Sequence, residues 1–247
     1  METVKENYSS FKLTDNSKVR FKKKHTNTFS LASGLPEHGG TCVNATKGEG
    51  GCVGKCYDVN LRKLYKMYAS TEDYNTSLVL DADYDTQRKI IDNSISKWLL
   101  NGGHADPYFR IHTGGEFFSE QYTRAWASVI EQRSGVRFWA YTRSLFAVPI
   151  LAELKNLTLF LSCDPVNKEK VLEVYEKYKD YPNIAVAWMG NEIPDDLPND
   201  RQRLVCPEVS GNMKKQESKG ACARCRACVD RPLKSGKIRH IQFPIHR

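Results

Sequence analysis

No stretch of the chain is apolar for long enough to cross a membrane, since a transmembrane helix needs about 20 consecutive apolar residues. Residues 1–5 open a polar segment that lacks the apolar region of a secretory signal. We therefore expect a cytoplasmic protein in a reducing compartment, where cysteine thiols stay free to bind metal. Disulfides are the weaker alternative, although the even number of cysteines, eight, would allow them.

The composition is that of a folded protein with a substantial core. The chain has 247 residues, of which 40% are hydrophobic and 11% aromatic. We expect one domain over residues 1–247, made of an N-terminal extension with a cysteine loop (1–57), a core of alternating strands and helices (58–200) and a basic, cysteine-rich C-terminal segment (201–247).

Positive charge is concentrated at the C-terminal end. The net charge is +8, and residues 213–247 alone hold ten Lys/Arg against two acidic residues. A basic tail of this kind suggests a polyanionic partner such as nucleic acid. A second reading is charge compensation, because Arg224 and Arg226 lie inside the cysteine run and would offset the negative charge of a metal–thiolate centre.

Seven of the eight cysteines fall into two groups. The front cysteines are Cys42, Cys52 and Cys56, and the C-terminal cysteines are Cys206, Cys222, Cys225 and Cys228. The last three form a C-x2-C-x2-C run, the spacing that ferredoxin-type 4Fe–4S loops use, with Cys206 as the fourth ligand. Zinc stays as the alternative, but structural zinc usually takes a C-x2-C pair from each of two segments, and this chain offers three cysteines on one side.

Strands alternate with helices through the middle of the chain, which indicates βαβ units and a parallel sheet. The hydrophobic pattern predicts strands over residues 108–113, 136–141, 157–162 and 184–189, and helices over 84–100, 119–132, 146–154 and 167–179. We expect an α/β fold with a full or partial TIM-like barrel. A flat, doubly wound sheet remains the alternative.

Polar residues follow each predicted strand, and the carboxyl ends of parallel strands meet at one edge of a sheet. These segments are 112–116, 142–144, 163–165 and 190–192, and together they predict one shared site. Alternation along the first strand places Arg110 and His112 on one face. There they would serve a cluster, a substrate carboxylate or a phosphate, unless they form an ion-pair network with Glu116 or Asp164.

Cys163 stands alone at a predicted strand end. If it joins the front cysteines, that group has four protein ligands. If it stays free, it is either a buried small side chain or a catalytic thiol. A further alternative is that both cysteine groups share one cluster, with the C-terminal segment folded back over the strand ends.

Gly114-Gly115-Glu116, after a strand that follows the front cysteines, resembles the radical S-adenosylmethionine superfamily. The resemblance implies a parallel barrel and a 4Fe–4S cluster whose open iron binds S-adenosylmethionine for reductive cleavage to a 5′-deoxyadenosyl radical. The front cysteines would hold that cluster. Contacts to the cofactor would come from Tyr57, Gly114, Gly115 and Glu116, with Asn191 and Glu192 as further candidates. Cys163, Arg110 and His112 would be the catalytic candidates.

A second resemblance covers about residues 29–228. Its motifs are Phe29-Ser30-Leu31, Cys52-x3-Cys56-Tyr57, Arg110-Ile111-His112-x-Gly114-Gly115-Glu116, Phe138 to Ser144, and Cys206-Pro207 with the final cysteine run. Together they are similar to the bacteriophage gene-product-88 family. This implies a phage origin and the cytoplasm of an infected bacterium, but no particular reaction.

The sequence therefore predicts an iron–sulfur protein with a 4Fe–4S cluster at the C-terminal cysteines, and leaves open a second cluster at the front cysteines. Radical S-adenosylmethionine-like chemistry on an unknown substrate is the enzyme hypothesis. The alternative is a non-catalytic iron–sulfur or zinc protein that transfers electrons or binds a partner, such as nucleic acid.

Overall fold

In the described part of the chain, seven parallel strands form one sheet at the centre of the molecule. The computed structural model describes residues 9–14, 16–20, 26–213, 220–229 and 238–245. The strands are β1 (Thr28–Phe29), β2 (Tyr108–Ile111), β3 (Arg137–Thr142), β4 (Leu157–Cys163), β5 (Ile184–Met189), β6 (Arg203–Val205) and β7 (His240–Phe243). Their spatial order is β1-β2-β3-β4-β5-β7-β6, so the sheet grows in one direction until the last two strands exchange places.

Helices connect most of the strands. They are α1 (Tyr57–Leu64), α2 (Lys66–Ser77), α3 (Tyr84–Leu100), α4 (Glu120–Gln132), α5 (Val148–Leu151), α6 (Lys168–Tyr178) and α7 (Ala221–Cys225). Two of them begin at capping side chains, because Asp83 accepts a hydrogen bond from the Thr86 amide and Ser119 accepts one from the Tyr122 amide. The predicted helix over residues 84–100 is confirmed residue for residue.

The main core lies between the sheet and its helices. Alternate residues of the central strands face this side, among them Phe109, Phe138 and Leu159. Apolar side chains of α3 and α4 pack on them, including Trp126, which is fully buried. Burial of such aromatic residues dominates the energetics of a core of this kind.

The opposite face of the sheet is covered by segments from the two ends of the chain, which include the short helix α7. Val19 from the N-terminal region and Ala223 and Val229 from the C-terminal segment pack against Trp139 of β3. Ile238 packs against Phe160 of β4 nearby. The C-terminal cysteine run is therefore held against the sheet itself.

The sheet is open, which corrects part of the prediction. The parallel α/β architecture is confirmed, but β1 and β6 lie at opposite edges and no described strand joins them. A closed TIM barrel is therefore not formed. β7 pairs with both β5 and β6 and takes the place that the next strand of a barrel would occupy.

Part of the predicted basic tail falls outside the described residues. Of the ten Lys/Arg in residues 213–247, the structure describes Arg224, Arg226 and Arg239. In the described part of the chain, no helix combines the length and the apolar character that a membrane span requires.

Candidate functional site

The four C-terminal cysteines converge from two separate segments. Cys206 directly follows β6, and its amide donates to the Gln242 carbonyl of β7 at 2.9 Å. The other three lie in and just after the short helix α7. That helix is anchored to the N-terminal region, because the Cys222 amide donates to the Lys18 carbonyl at 2.9 Å and the Gly220 amide to the Arg20 carbonyl at 2.7 Å.

The C-terminal thiols share one electrostatic environment. The pKa of Cys222 is raised to about 11: burial is the largest cause, Arg110 opposes the rise, and the neighbouring Cys206 and Cys225 contribute to it. Burial likewise raises the pKa of Cys228 well above its ordinary value, as do Cys222, Cys206 and Cys225. Without a cation these thiols stay protonated at neutral pH, whereas a bound metal centre stabilises the thiolates.

Tyr141 of β3 and Arg110 of β2 are the sheet residues that lie next to these thiols. The Tyr141 hydroxyl donates to Cys228 Sγ at 3.0 Å. The Arg110 guanidinium lies over the Tyr141 ring, 5.1 Å from its centroid, and faces Cys222 and Cys228. Its Nε atom is buried and has no hydrogen-bond partner in the described part of the chain.

Arg226 shapes the cysteine run. It ends α7 in the left-handed conformation, with φ of 52°, and its amide donates to the Cys222 carbonyl. Its guanidinium forms an ion pair with Asp106 at 2.9 Å and lies over the Tyr108 ring. Besides its predicted role in charge compensation, Arg226 therefore fixes the end of α7 against Asp106 and Tyr108.

The front cysteine loop lies across the carboxyl ends of β2, β3 and β4. Thr46 Oγ1 donates to Asp164 Oδ2 at 2.6 Å, and Arg143 Nη1 donates to the same oxygen at 2.5 Å. The Cys52 amide donates to Thr46 Oγ1 at 2.8 Å. Three of the four predicted strand-end segments are thus brought together beneath the front cysteines.

Gly114 and Gly115 let the front loop approach the end of β2. A Cβ atom on Gly114 would lie 2.1 Å from Asp58 Oδ2, and one on Gly115 would lie 2.7 Å from Thr41 Oγ1. Gly115 also has φ of +78°, which L side chains rarely adopt. Thr41 precedes Cys42, and Asp58 lies two residues after Cys56. The two glycines therefore allow both ends of the front cysteine loop to pack closely against the end of β2.

Glu116 links the segment after β2 to the end of β3 through hydrogen bonds. Its carboxylate accepts hydrogen bonds from Thr142 Oγ1 at 2.7 Å and from the amides of Phe117 at 2.9 Å and Arg143 at 2.5 Å. Burial raises its pKa, and the three donors partly offset this. The Glu116 amide in turn donates to Thr41 Oγ1 at 3.1 Å, next to Cys42.

The front thiols are also partly buried. Burial raises the pKa of Cys42 to about 12; the Gly34 amide opposes this rise, and Glu116 and Cys56 add to it. Burial raises the pKa of Cys56 too, against the helix-start amides of Val59 and Asp58. The front thiols influence one another's pKa values, and the C-terminal thiols do likewise.

A buried acidic network lies behind Gly114. Asp58 accepts a hydrogen bond from the Tyr68 hydroxyl, and Glu72 Oε2 accepts one from Arg62 Nη1 at 2.8 Å. One carboxyl oxygen of each acid, Asp58 Oδ2 and Glu72 Oε1, is buried and has no hydrogen-bond partner among the described residues. Burial, and next the charge of Asp58, raise the pKa of Glu72 to about 8.

This pKa predicts a pH-dependent stability. Because the folded chain keeps Glu72 protonated up to about pH 8 while the unfolded chain releases the proton near its ordinary pKa of 4.5, the free energy of unfolding falls as pH rises through that window. Each unit of pKa difference corresponds to about 1.4 kcal/mol. Urea titrations at pH 5 and pH 8 measure this decrease in the free energy of unfolding. We expect the decrease to be smaller in Glu72→Gln than in the unmodified protein, because glutamine does not titrate. The control Glu120→Gln, at an exposed position, should keep it; equal pH dependence in Glu72→Gln and the unmodified protein would contradict the assignment.

His112 does not share a face with Arg110, which corrects the alternation argument. Its φ of 58° ends β2 and turns its side chain to the helix side of the sheet. There its Nε2 lies 3.0 Å from the Tyr122 hydroxyl, and its ring contacts those of Phe29 and Phe117. Burial, and next Arg110, lower the pKa of His112 to about 3, so it is neutral.

Three other predicted residues lie apart from the front cysteines. Cys163 is fully buried in the main core, and burial raises its pKa to about 12. Asn191 Oδ1 accepts from the Ile245 amide, and the Glu192 carbonyl accepts from the Trp188 indole. Tyr57 is nearer: it follows Cys56 directly, and its hydroxyl donates to the Thr113 carbonyl at the end of β2.

All eight cysteines lie in the described part of the chain, and all are free thiols. In the same residues, no group of three or more Cys, His, Asp or Glu side chains is arranged to hold a single metal ion.

The sequence reasoning missed two contributors, Tyr141 and Asp58. Tyr141 is two residues from Trp139 on the same strand, and this alternation is the signal that points both to the face away from the helices. Asp58 carried no comparable signal, because its contact with Gly114 joins residues that lie far apart in the chain.

Comparison with known proteins gives one consistent match. The family model described as Gene product 88 matches residues 5–231. The Gene 88 proteins of Mycobacterium phages D29 and L5 are 31% and 32% identical over 210 and 209 residues, covering 83% of this chain and 83% of each relative. No solved structure matches. The relatives are bacteriophage proteins, which supports the predicted phage origin, whereas the radical S-adenosylmethionine resemblance receives no support.

Proposed function

The chain belongs to the gene product 88 family, and from its cysteines we propose that it is an iron–sulfur protein whose C-terminal cysteines hold a 4Fe–4S cluster. The observation that carries the proposal is the convergence of four thiols from two segments beside Arg110, a guanidinium for which the described residues supply no carboxylate. A cubane with four thiolates carries about two negative charges in its oxidised form, and these would balance the arginine.

Several features support this choice of centre. The pKa of each of Cys206, Cys222 and Cys228 is raised, first by burial, so the site favours neutral thiols until a cationic centre binds. Tyr141 supplies a hydrogen bond to Cys228 Sγ, an interaction that tunes the potential of such clusters.

Iron–sulfur is favoured over zinc by the arrangement of the ligands. In a tetrahedral zinc site every thiolate lies about 2.3 Å from one ion. A 4Fe–4S cluster takes its four thiolates on four different irons. The C-x2-C-x2-C run with Cys206 as a remote partner agrees with this arrangement.

The test is anaerobic metal analysis of the full chain. We expect a brown protein with about four irons and four sulfides per chain if only the C-terminal cysteines bind a cluster, and about eight of each if the front cysteines bind a second. A colourless protein that carries stoichiometric zinc would contradict the proposal. Removal of iron with a chelator should lower the melting temperature, because metal binding contributes to folding.

The second candidate function is radical S-adenosylmethionine-like chemistry at the front cysteines. It is favoured by one observation: three cysteines, and not four, lie beside the Gly114–Glu116 turn at the carboxyl edge of the sheet. In this candidate S-adenosylmethionine would bind the front centre with Gly114, Gly115 and Tyr57 nearby. Glu116 already uses both carboxylate oxygens within the chain, so its role would be to hold the turn.

The two candidates give different results with S-adenosylmethionine. Reduced, iron-loaded protein that yields 5′-deoxyadenosine supports the enzyme. Protein that yields none, and whose spectrum does not change when the compound is added, supports the non-catalytic iron–sulfur protein that transfers electrons or binds a partner. Binding of nucleic acid through the basic tail stays a prediction, which a steep dependence of affinity on salt would support.

A further inference from the structure

We infer that Arg110 sets the reduction potential of the C-terminal centre by holding a positive charge against its thiolates. This inference rests on the proposed function and adds to it a residue that lies outside the cysteine run by more than 90 positions. Arg110 comes from β2 in the middle of the sheet, whereas the ligands come from the last quarter of the chain.

The surroundings of Arg110 are unusual for an arginine. In the described part of the chain no carboxylate forms an ion pair with it, and its buried Nε has no hydrogen-bond partner. The groups that it faces are the hydroxyls of Tyr57 and Tyr141 and the thiols of Cys222 and Cys228.

A buried charge without a partner is costly, and that cost is lowest when negative charge develops nearby. Reduction of a cluster adds one negative charge to the thiolate–iron centre. Arg110 therefore favours the reduced state over the oxidised state. Cluster potentials depend on the net charge, on hydrogen bonds to the sulfur atoms and on exposure to solvent, and Arg110 and Tyr141 act on the first two.

The experiment measures the midpoint potential of the full chain in a spectroscopically monitored redox titration. The signal that disappears in Cys225→Ser identifies the C-terminal cluster. The test variants are Arg110→Met, Arg110→Lys and Tyr141→Phe. The matched control is Arg124→Met, which removes the same charge from an exposed position on α4, where solvent and salt screen it.

We expect Arg110→Met to lower the equilibrium constant for reduction about tenfold, a shift of about 59 mV toward more negative potential for a one-electron couple. Arg110→Lys should restore most of the potential, because it keeps the charge. Tyr141→Phe should give a smaller shift of the same sign, through loss of the hydrogen bond to Cys228. Arg124→Met should leave the potential unchanged.

The outcomes separate the two proposals. If the unmodified protein has no iron–sulfur signal, the proposed function fails before any variant is measured, and this inference fails with it. If the signal is present but Arg110→Met has the potential of the unmodified protein, only the inference is overturned. A lysine variant that shifts as far as the methionine variant also overturns it, because the charge is then not the cause. If methionine prevents folding, Arg110→Gln removes the same charge with a polar side chain of similar length.

Discussion

Cys228→Ser is expected to lose the iron of the C-terminal group. Cys228 packs with the apolar residues around Trp139 and around Phe160, on the face of the sheet opposite the main core. It accepts a hydrogen bond from the Tyr141 hydroxyl and faces the other three thiols. A serine hydroxyl at this position is a poor substitute for a thiolate at a soft metal centre. We expect iron content to fall by about four per chain and the visible absorbance of this cluster to disappear.

Loss of the centre should also lower the free energy of unfolding. Without the negative charge of the thiolates, Arg110 is left facing neutral groups, and breaking one partner of a buried charged pair costs on the order of 3 kcal/mol. The segment of residues 220–229 would then be held by its apolar contacts with the sheet, by its hydrogen bonds to residues 18 and 20 and by the ion pair of Arg226 with Asp106. Urea titration of the variant and the unmodified protein, at equal protein concentration, measures this loss.

Cys163→Ala is the matched control for this prediction. Cys163 is equally a free thiol, but it lies at full burial in the main core between the sheet and the helices. Its replacement by alanine should cost about 1–2 kcal/mol through the small cavity left behind. The iron content should not change. If Cys163→Ala loses iron and Cys228→Ser keeps it, the assignment of the C-terminal group is wrong.

Gly114→Ala is the second substitution with a large expected effect. The new Cβ would lie 2.1 Å from Asp58 Oδ2 and 2.4 Å from Asp58 Cγ, and Asp58 is itself confined by Tyr68. Either the start of α1 or the end of β2 must therefore shift. We expect a loss of about 2–3 kcal/mol in the free energy of unfolding, the usual cost of overpacking.

The same substitution should release the front cysteine loop. Because Asp58 lies two residues after Cys56, a displaced α1 would expose Cys56 to solvent. Reaction of the metal-free protein with a thiol reagent, followed by peptide mass analysis, should show faster modification of Cys56, while Cys228 reacts at its former rate. If Cys56 reacts at an unchanged rate, Gly114 does not hold the front cysteine loop in place.

Gly135→Ala is expected to raise the free energy of unfolding, whereas Gly114→Ala lowers it. Gly135 lies in the exposed turn before β3; no atom lies within 4 Å of an added Cβ, and its φ is outside the left-handed region. Alanine there restricts the unfolded chain and should stabilise the protein by about 0.4–1 kcal/mol. The contrast in sign between the two glycines separates the effect of a specific contact from the general effect of replacing glycine.

The strand-end residues illustrate how far sequence reasoning reaches. Hydrophobic periodicity predicted β4 and β5 closely, and the polar segments after β2, β3 and β4 do meet at one edge. In the fourth segment, the Asn191 carbonyl instead accepts a hydrogen bond from Gln242 of β7, and the Glu192 carbonyl accepts one from the Trp188 indole. β6 and β7 were not predicted, because runs of three and four residues carry too little periodicity to be distinguished from loops.

The sequence by itself determined the helices α3 to α6, the central strands, the parallel α/β class and the spacing of the cysteine run. These depend on contacts within a few turns of chain, so they can be read from local patterns. Tertiary structure alone decided that the sheet stays open, that His112 turns away from Arg110 at a left-handed residue, and that Arg110 faces thiols more than 100 residues away. The physical reason is that these outcomes depend on the packing of distant segments on the two faces of one sheet, and no local pattern records which segment covers which face.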